Sequence, residues 1–590
     1  MYALLKATLI AVAIFPQLIN AQDYFTAGDY KRALWMTTRF YGAQRSGNGP
    51  NWLIMQHDSI RYRTSFTNDA DGSCNIEGGW FDCGDHVTFG QTFFYSAYIL
   101  AKAYDLFPLG FHDLYNGFDY ADYVSSGNWD LEGGSPDGIP DLLQELKYAT
   151  DWIIKAAPDG STFYYQKGEG AKDHTTWVTS GKMSSQPVEN GGEPRKVFKN
   201  PDDGMMPSFA AATLAIMSRV YKKYDTLYAK TCFDHAKYAY TYAKSHKGSS
   251  AGAGCGCCYG SSKSAYVAFI TGASEMFAAS GDETYKSDAL AEQDKIEFHN
   301  YGLDYSNTHD LAPLAMATSG IDTTRFDQLK TLFLDQYTAS MNSEGICTRG
   351  NSGWGALRYP ANHAFIAAAW SEAKKDTTLH SFIFKQIDFI MGKNSAMRSF
   401  IVGFCSGCEK ETRYPHHRNV YLRDDNPNDS AKEYMTIPER NQRFGYLVGG
   451  TWNSSDYTES VTNYSMTEGG IDYNAGLVGA LGYIVSRLDP ADTAGMVPVY
   501  RSSRQKKGVI RPEMLTIRQS GSDIVLLAAN GGRIVEAEFF DCRGRLVARI
   551  PGGAAQLEMD RKSLGPGVYA IRGNTEDGRT LYGALYLINQ

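Results

Sequence analysis

The sequence lacks two features that would place it in large classes of proteins. Acidic residues outnumber Lys and Arg by 65 to 57 among its 590 residues, and the net charge is -8. Nucleic-acid binders usually carry a basic face, so this balance argues against such a partner. After residue 21 no apolar run is long enough for a transmembrane helix. We therefore expect a protein that neither binds nucleic acid nor spans a membrane.

An apolar stretch opens the sequence. Lys6 precedes the run "ATLIAVAIFPQLINA", and the small residue Ala21 stands before Gln22. A positive charge, a short apolar run and a small residue in this order are typical of a secretory signal peptide. We predict a signal peptide over residues 1–21 and a secreted protein, either extracellular or held at the cell surface.

The ten cysteines all follow this segment. An even number of cysteines in a secreted chain favours disulfides. Cys255, Cys257 and Cys258 crowd together in "GAGCGCCYG", and Cys405 and Cys408 form a Cys-x-x-Cys pair. Zinc is the rival interpretation, since thiolates at such spacing are zinc ligands. Disulfides, plain thiols and zinc all stay open on the spacing alone.

Apolar residues between about 90 and 487 recur mostly at helical spacing, and long loops rich in Gly, Asp, Asn and Trp separate the helical stretches. A helical scaffold with such loops indicates a site on one face of a barrel of helices. The clearest amphipathic stretches are 139–156, 208–224, 264–281, 362–375 and 474–488.

The character of the chain changes after residue 488. Residues 489–510 are polar and weakly patterned, which predicts a linker. Short runs such as "DIVLLAA", "RIVEAEFFD" and "GVYAIRG" follow, separated by Gly-containing turns. We predict a small β-sandwich over 511–590.

Two carboxylates stand three residues apart in "GGWFDCGDHV". Asp82 and Asp85 are surrounded by glycines, and we expect Gly84 to allow unusual backbone angles. Hydrolysis of a glycosidic bond needs two carboxyl groups in opposite protonation states. Two like charges held close disfavour ionisation of both. Taken alone, the stretch would also suit a solvated turn or a calcium loop.

A third carboxyl group, Glu468, lies between Tyr464 and the apolar run that begins near residue 474. Aromatic and apolar neighbours raise the pKa of a carboxyl group, as a general acid requires. The alternative is an acid that caps the following helix.

Four stretches in chain order resemble the motifs of glycoside hydrolase family 9. They are "GGWFDCGDHVTFG" (78–90), "WGALRY" (354–359), "YPHHR" (414–418) and "TEGGIDYNAGLVGAL" (467–481). This family consists of inverting β-1,4-glucanases, mostly cellulases, built on an (α/α)6 barrel. The resemblance therefore implies a mainly α fold and a catalytic domain over 23–488.

The resemblance also assigns roles. Asp85 matches the family's catalytic base, Asp82 the partner that holds the nucleophilic water, and Glu468 the catalytic acid. An inverting mechanism needs room for water, so we expect roughly 6.5–9.5 Å between the carboxyl groups of Asp85 and Glu468. The residues that match positions binding a β-1,4-glucan chain are His174, Trp354, Arg358, Tyr359, His416, Arg418 and Tyr473. No cofactor and no metal ligand is predicted.

The chain departs from the family pattern at several positions. Glu468 lies in Thr-Glu-Gly-Gly where the family usually has Asn-Glu-Val-Ala, and Cys83 replaces a typical alanine. Val267 and Ala268 stand where many members carry the acidic pair of a calcium site, so an oxygen-rich site looks absent there. We hypothesise that the Cys255–Cys258 cluster replaces it as a covalent or thiolate staple.

The resemblance favours a secreted endo-β-1,4-glucanase acting on cellulose and soluble β-glucans. A processive or chain-end β-glucanase, or a mixed-linkage glucan or glucomannan hydrolase, is the alternative. A third reading is a catalytically impaired carbohydrate-binding protein on the same fold. Residues 511–590 resemble β-domains that sort or anchor secreted bacterial proteins, which adds cell-surface attachment as an expectation.

Overall fold

The computed structural model describes residues 24–46, 76–113, 138–178, 183–254, 257–262, 264–297, 302–418, 445–488, 513–520, 523–528, 533–541, 545–564, 566–576 and 580–587. The predicted signal peptide (1–21) and linker (489–510) lie outside these ranges. The chain forms two compact units, Met1–Arg501 and Ser502–Gln590. No helix in the described ranges is long and apolar enough to cross a membrane.

Helices dominate the described part of the first unit. They are α1 (Ala27–Ala43), α2 (Gly90–Leu106), α3 (Asp141–Ala156), α4 (Gly170–Asp173), α5 (Met205–Val220), α6 (Thr226–Ser245), α7 (Ala265–Ser280), α8 (Glu283–Glu292), α9 (Leu311–Thr318), α10 (Thr324–Thr331), α11 (Arg358–Lys374), α12 (His380–Met391), α13 (Tyr464–Thr467) and α14 (Ile471–Val485).

Six of these helices form a closed inner ring. Each contacts the next in the order α2, α5, α7, α9, α11 and α14, and α14 returns to α2. Six further helices, α1, α3, α6, α8, α10 and α12, each pack against at least one helix of the ring. A helix that is apolar around most of its circumference is buried, and the ring helices follow this rule. The predicted (α/α)6 barrel is confirmed.

The five amphipathic stretches all form helices, each within a few residues of the predicted bounds. In α3, for example, Leu142, Leu146, Ala149 and Ile153 are almost wholly buried. Pro140 is the N-cap residue of this helix. The stretches 208–224, 264–281, 362–375 and 474–488 correspond to α5, α7, α11 and α14.

The second unit is built of strands around its own apolar core. The first unit contains an antiparallel strand pair, β1 (Tyr164–Lys167) and β2 (Val197–Lys199). The strands of the second unit are β3 (Glu513–Ser520), β4 (Asp523–Ala528), β5 (Ile534–Phe540), β6 (Leu546–Ala554), β7 (Gln556–Asp560), β8 (Gly567–Thr575) and β9 (Thr580–Leu587).

Strand β3 joins two sets of strands in the second unit. Its first two residues pair in parallel with β9, and the remainder pairs antiparallel with β4. The resulting order is β6-β5-β8-β9-β3-β4-β7. One core contains Ile524 of β4, Leu557 of β7, Phe539 of β5 and Ile571 of β8, so it draws on both sets. The expected β-structure at the C-terminus is confirmed, and its description as a β-sandwich over 511–590 stays a prediction.

Candidate active site

A cavity of about 660 Å³ opens in the first unit. Nine of the ten residues singled out from the sequence line it, and only Tyr359 does not. The lining residues are Asp82, Cys83, Gly84, Asp85, Phe89, His174, Trp177, Cys258, Tyr259, Tyr305, Asn351, Trp354, Arg358, His416, Arg418, Tyr464, Glu468 and Tyr473.

The segment that carries Asp82 and Asp85 is a loop closed at its base. The amide of Asp82 donates to the carbonyl of Val87 at 3.0 Å, and the amide of Ile471 donates to the carbonyl of Asp82 at 3.0 Å. The second bond ties the loop to Ile471, the first residue of α14, which follows Glu468 by three positions. The loop is thereby fixed against the segment that carries Glu468.

Gly84 is needed for a reason that differs from our expectation. Its φ is not in the left-handed region, where Gly78 and Gly79 do lie at +106° and +78°. A Cβ on Gly84 would lie 2.4 Å from the carbonyl oxygen of His416. Close approach of two backbone segments, not unusual angles, therefore requires glycine here.

Asp82 is completely buried and accepts hydrogen bonds on both carboxyl oxygens. Thr92 donates to Oδ1 and the Tyr259 hydroxyl donates to Oδ2. Burial raises the pKa of Asp82, and the nearby charges of Asp85 and Asp472 add to this, while the two hydroxyl donors oppose it. Asp82 is thus held rigidly, with both oxygens engaged.

Asp85 faces a histidine. Its Oδ2 lies 3.2 Å from Nε2 of His174, and its Oδ1 lies 3.5 Å from the amide nitrogens of Cys83 and Val87. The hydrogen bond to Asp85 raises the pKa of His174, against the effect of burial. His174 therefore fixes the orientation of the Asp85 carboxyl group at the cavity wall.

Asp173 lies beneath His174 and anchors two arginines. It accepts from Arg195 at 2.8 Å and from Arg418 at 2.7 Å, and all three side chains are buried. Burial alone would raise the pKa of Asp173, but the two guanidinium groups hold it below its usual range. Arg418 is therefore present in the cavity wall as an ion-paired cation.

The metal-ligating atoms of Asp85, Asp173 and His174 lie within 4.8 Å of one another. The set does not fit a divalent cation well, because Arg195 and Arg418 already neutralise Asp173 and would repel an added positive charge. In the described ranges these three residues are the one cluster of this kind.

Glu468 lines the same cavity as Asp82 and Asp85 and follows the single turn of α13. It is the C-cap residue of α13, while Gly470 is the N-cap residue of α14, so the Glu468 side chain does not cap the following helix. Burial raises the pKa of Glu468 to about 8, and the charges of Asp85 and Asp82 contribute. Burial and the two like charges, and not the aromatic neighbours alone, therefore favour the protonated form of Glu468.

Arg358 is clamped at the cavity floor. Its Nη1 donates to Asp472 at 2.6 Å, its guanidinium lies 4.3 Å from the centre of the Tyr473 ring, and Nη2 lies 3.3 Å from the Tyr473 hydroxyl. Because Asp472 and Tyr473 follow Glu468 by four and five residues, the clamp fixes the α14 end of the acid segment.

Tyr359 does not reach the cavity. Its side chain is only 2% exposed, and its hydroxyl donates to Asp304 at 2.8 Å. A Cβ on Gly350 would lie 2.3 Å from its ring, so the ring packs directly under the loop before Trp354. The expectation that Tyr359 binds substrate is not supported, because Tyr359 buttresses the loop from below.

Aromatic rings form one wall of the cavity. Trp354 and Tyr464 are 42% and 49% exposed, unusually high for large rings, and their centres lie 4.9 Å apart. Trp177 lies 4.6 Å from the His416 ring, which also contacts Tyr464. Burial lowers the pKa of His416 to about 4, and its Nδ1–H donates to the carbonyl of Val461 at 2.6 Å. The wall is thus uncharged and presents flat apolar faces.

The two cysteine groups noted in the sequence differ in how they are bonded. Cys405 and Cys408 form a disulfide, which decides between disulfide and zinc for this pair. Sγ of Cys258 lies 3.1 Å from Sγ of Cys257, and Cys258 lines the cavity. Cys255 lies outside the described residues, so the predicted Cys255–Cys258 staple stays a hypothesis.

The calcium positions considered above are apolar and enclosed. Val267 and Ala268 are 1% and 0% exposed within α7. Gly281, with φ +70°, ends this helix, and Asp282 caps the next by accepting from the amide of Thr284. The turn at 279–282 therefore joins α7 to α8.

Sequence reasoning missed several residues of the site. Tyr259 and Thr92 both donate to Asp82. Asp173 and Arg195 form a buried ion pair beside His174. Trp177 forms part of the aromatic wall. Asp173 and Trp177 flank His174 in "KDHTTW" and could have been found with it. Tyr259 follows the cysteine cluster, where no local pattern indicates contact with Asp82.

Comparison with known sequences points in one direction. The family model of glycosyl hydrolase family 9 matches residues 30–481. Endoglucanase A of Fibrobacter succinogenes is 35% identical over 439 residues, which cover 71% of this chain and 93% of that protein. Endoglucanase B of Cellulomonas fimi is 30% identical over 503 residues, which cover 81% of this chain and 44% of that protein.

Solved structures give the same likeness. The endoglucanase of the termite Nasutitermes takasagoensis superposes with a TM-score of 0.63 at 26% identity, covering 78% of this chain and 99% of that one. The cellulase Cel9M of C. cellulolyticum in complex with cellobiose also gives 0.63 at 26% identity, covering 77% and 98%. Both superpositions cover about three quarters of this chain and almost all of the other.

Proposed function

The chain belongs to glycosyl hydrolase family 9 and is an inverting endo-β-1,4-glucanase, and from this premise we propose how its residues carry out the reaction. Asp85, assisted by Asp82, activates a water molecule, and Glu468 protonates the departing sugar oxygen. The observation that carries the proposal is that all three carboxyl groups line one cavity, with the pKa of Glu468 raised to about 8 by burial.

The two sides of the cavity suit opposite protonation states. Asp85 is oriented by donors, namely two amide groups and His174, as a base that must accept a proton from water. Burial and the charges of Asp85 and Asp82 raise the pKa of Glu468, which favours its protonated form at neutral pH. An oriented carboxylate facing water and a buried carboxyl group that keeps its proton suit the roles of base and acid. The separation of roughly 6.5–9.5 Å that water requires stays a prediction.

The aromatic wall and the fixed cations suit a β-1,4-glucan chain. Trp354 and Tyr464 offer exposed ring faces, on which pyranose rings stack. Arg358 and Arg418 are held in place by Asp472 and Asp173, so they can donate to sugar hydroxyls without first being ordered. We propose that His416, neutral at physiological pH, and Tyr473 complete this binding surface.

The mode of attack is tested with a soluble cellulose derivative. An endo-acting enzyme cuts internal bonds, so we expect the viscosity of carboxymethyl cellulose to fall steeply before many reducing ends appear. The measurement follows viscosity and reducing sugar in one reaction. Reducing ends that rise while viscosity stays high would favour the chain-end alternative. Equal, negligible release by wild type and Glu468→Gln would favour the impaired binding protein.

The pH profile provides a further test. As pH rises through about 8, Glu468 loses its proton, so we expect kcat/KM to fall on the alkaline side with an apparent pKa near 8. The matched control is Glu468→Gln assayed with an aryl β-cellobioside that carries a good leaving group, for which the acid is dispensable. This variant should lack the alkaline limb, and a limb that persists unchanged would contradict the assignment.

We propose that the protein is exported and acts outside the cell. Support comes from the signal-peptide pattern of residues 1–21. The β unit, for which we predicted a sorting or anchoring role, folds around its own core. Attachment to the cell surface through this unit is proposed on its resemblance to such modules alone.

A further inference from the structure

Lys167, at the end of β1, lies under the segment that leads into the Asp82–Asp85 loop. Its side chain is 1% exposed, although it ends in an ionisable amino group. Among the described residues, its amino group lies within hydrogen-bond distance of three neutral oxygens. Nζ lies 2.9 Å from the carbonyl of Gly78, 3.1 Å from Oγ of Ser46 and 3.4 Å from the carbonyl of Ile76.

The backbone of Lys167 holds the other end of the same loop. Its amide donates to the carbonyl of Thr88, and its carbonyl accepts from the amide of Thr88, both at 3.1 Å. Lys167 therefore grips the chain on both sides of the two aspartates, at Gly78 through its side chain and at Thr88 through its backbone. Between these points, the bond from the amide of Asp82 to Val87 closes the loop.

The glycines before the loop fit this arrangement. Gly78 and Gly79 both adopt left-handed angles, φ +106° and +78°, which glycine adopts at little cost. The carbonyl of Gly78 reaches Lys167, and that of Gly79 accepts from the amide of Ser46 at 2.8 Å. Ser46 thus binds both the lysine and the segment, which adds a third point of attachment.

The electrostatic cost of this lysine argues that it has a role. Burial, together with the charges of Arg195 and Lys155, lowers the pKa of Lys167 to about 7, and Glu77 and Glu193 oppose this shift. An uncharged side chain of the same length would fill the space without that cost. The hydrogen bonds of the amino group to Gly78, Ile76 and Ser46 offset the cost of burial here.

We propose that Lys167 is a positioning residue for the catalytic base: it sets the position of the loop that carries Asp82 and Asp85. This inference rests on the proposed function of Asp85. Lys167 touches neither substrate nor the reacting atoms, and it acts through the Gly78 and Thr88 ends of the loop. Its loss should therefore affect attack by water and leave protonation by Glu468 intact.

The test compares Lys167→Met, which keeps the stem and removes the donors, with Lys167→Gln, which keeps an uncharged donor. A misplacement of reacting groups by about 1 Å costs about 10²-fold in rate. We expect Lys167→Met to lower kcat by about 10- to 100-fold, with KM within about threefold of wild type. The kcat of Lys167→Gln should lie between that of wild type and that of Lys167→Met. The control is Lys155→Met, an exposed lysine that donates to the Glu77 carbonyl of the same segment at 2.9 Å and should retain wild-type kcat.

Two substrates separate positioning of the base from general loosening. The loss in Lys167→Met should be equal for cellopentaose and for an aryl β-cellobioside with a good leaving group, since only the base side is affected. A wild-type kcat, a loss confined to KM, or a loss confined to cellopentaose would overturn the inference. If Lys167→Met does not fold, Lys167→Gln decides by the same criteria.

Asp85→Asn is measured alongside these variants. If Asp85→Asn is inactive while Lys167→Met matches wild type, only the positioning role fails. If Asp85→Asn itself keeps wild-type activity, the proposed function of Asp85 fails and the positioning role fails with it.

Discussion

Asp85→Asn is expected to lower kcat on cellopentaose by about 10²- to 10⁴-fold, the range that a general base contributes. An amide cannot take a proton from water, and the nucleophile would then remain neutral water. The amide has nearly the shape of the carboxyl group, so KM and the melting temperature should change little. Steady-state kinetics and thermal unfolding of the purified variant provide the measurement.

Asp82→Asn is the matched comparison. Asp82 already accepts from Thr92 and Tyr259, and we propose that it helps to hold the water but does not take its proton. Its substitution should therefore reduce kcat by a smaller factor than Asp85→Asn. If Asp82→Asn proves the more damaging of the two, the roles of the two aspartates must be exchanged.

Glu468→Gln is expected to lower kcat on cellopentaose by about 10²- to 10⁴-fold, and by far less on a substrate with a good leaving group. The natural leaving group is a sugar alkoxide, which departs slowly unless it is protonated. An acidic phenol departs without that help, so the acid becomes dispensable. The measurement is kcat for both substrates with wild type and Glu468→Gln.

Asp85→Asn again serves as the control for Glu468→Gln. A base variant should be impaired on both substrates, because water must be activated whatever the leaving group is. Glu468→Gln equally impaired on both would show that Glu468 does not act as the acid.

The fold could be predicted where it depends on the spacing of apolar residues within one segment. The spacing of Leu142, Leu146, Ala149 and Ile153 identifies α3, because burial of one helix face imposes that period. Closure of six helices into a ring depends on contacts between distant segments, such as α14 with α2. No pattern within either segment specifies that contact. The helical spacing with long loops indicated a barrel of helices, and the resemblance to a known family supplied its six-fold arrangement.

The residues of the candidate site were likewise predictable only where the local sequence indicates their chemistry. The three carboxyl groups lie in glycine- and aromatic-rich segments whose composition indicates their chemistry. Tyr259 meets Asp82 across 177 positions of sequence, and nothing near Tyr259 indicates its partner. Tyr359 was misplaced because a motif gives proximity along the chain and not the direction of a side chain. Arg358, its neighbour, lines the cavity, whereas Tyr359 turns beneath the loop.

The most direct test of the account is the anomeric configuration of the first product. Water delivered by Asp85 attacks opposite the oxygen that Glu468 protonates, so proton NMR of fresh cellopentaose hydrolysis should show the α-anomer first, before mutarotation. Accumulation of the β-anomer first would require a covalent intermediate and carboxyl groups only about 5–5.5 Å apart. That result would contradict a base and an acid facing each other across a single water molecule.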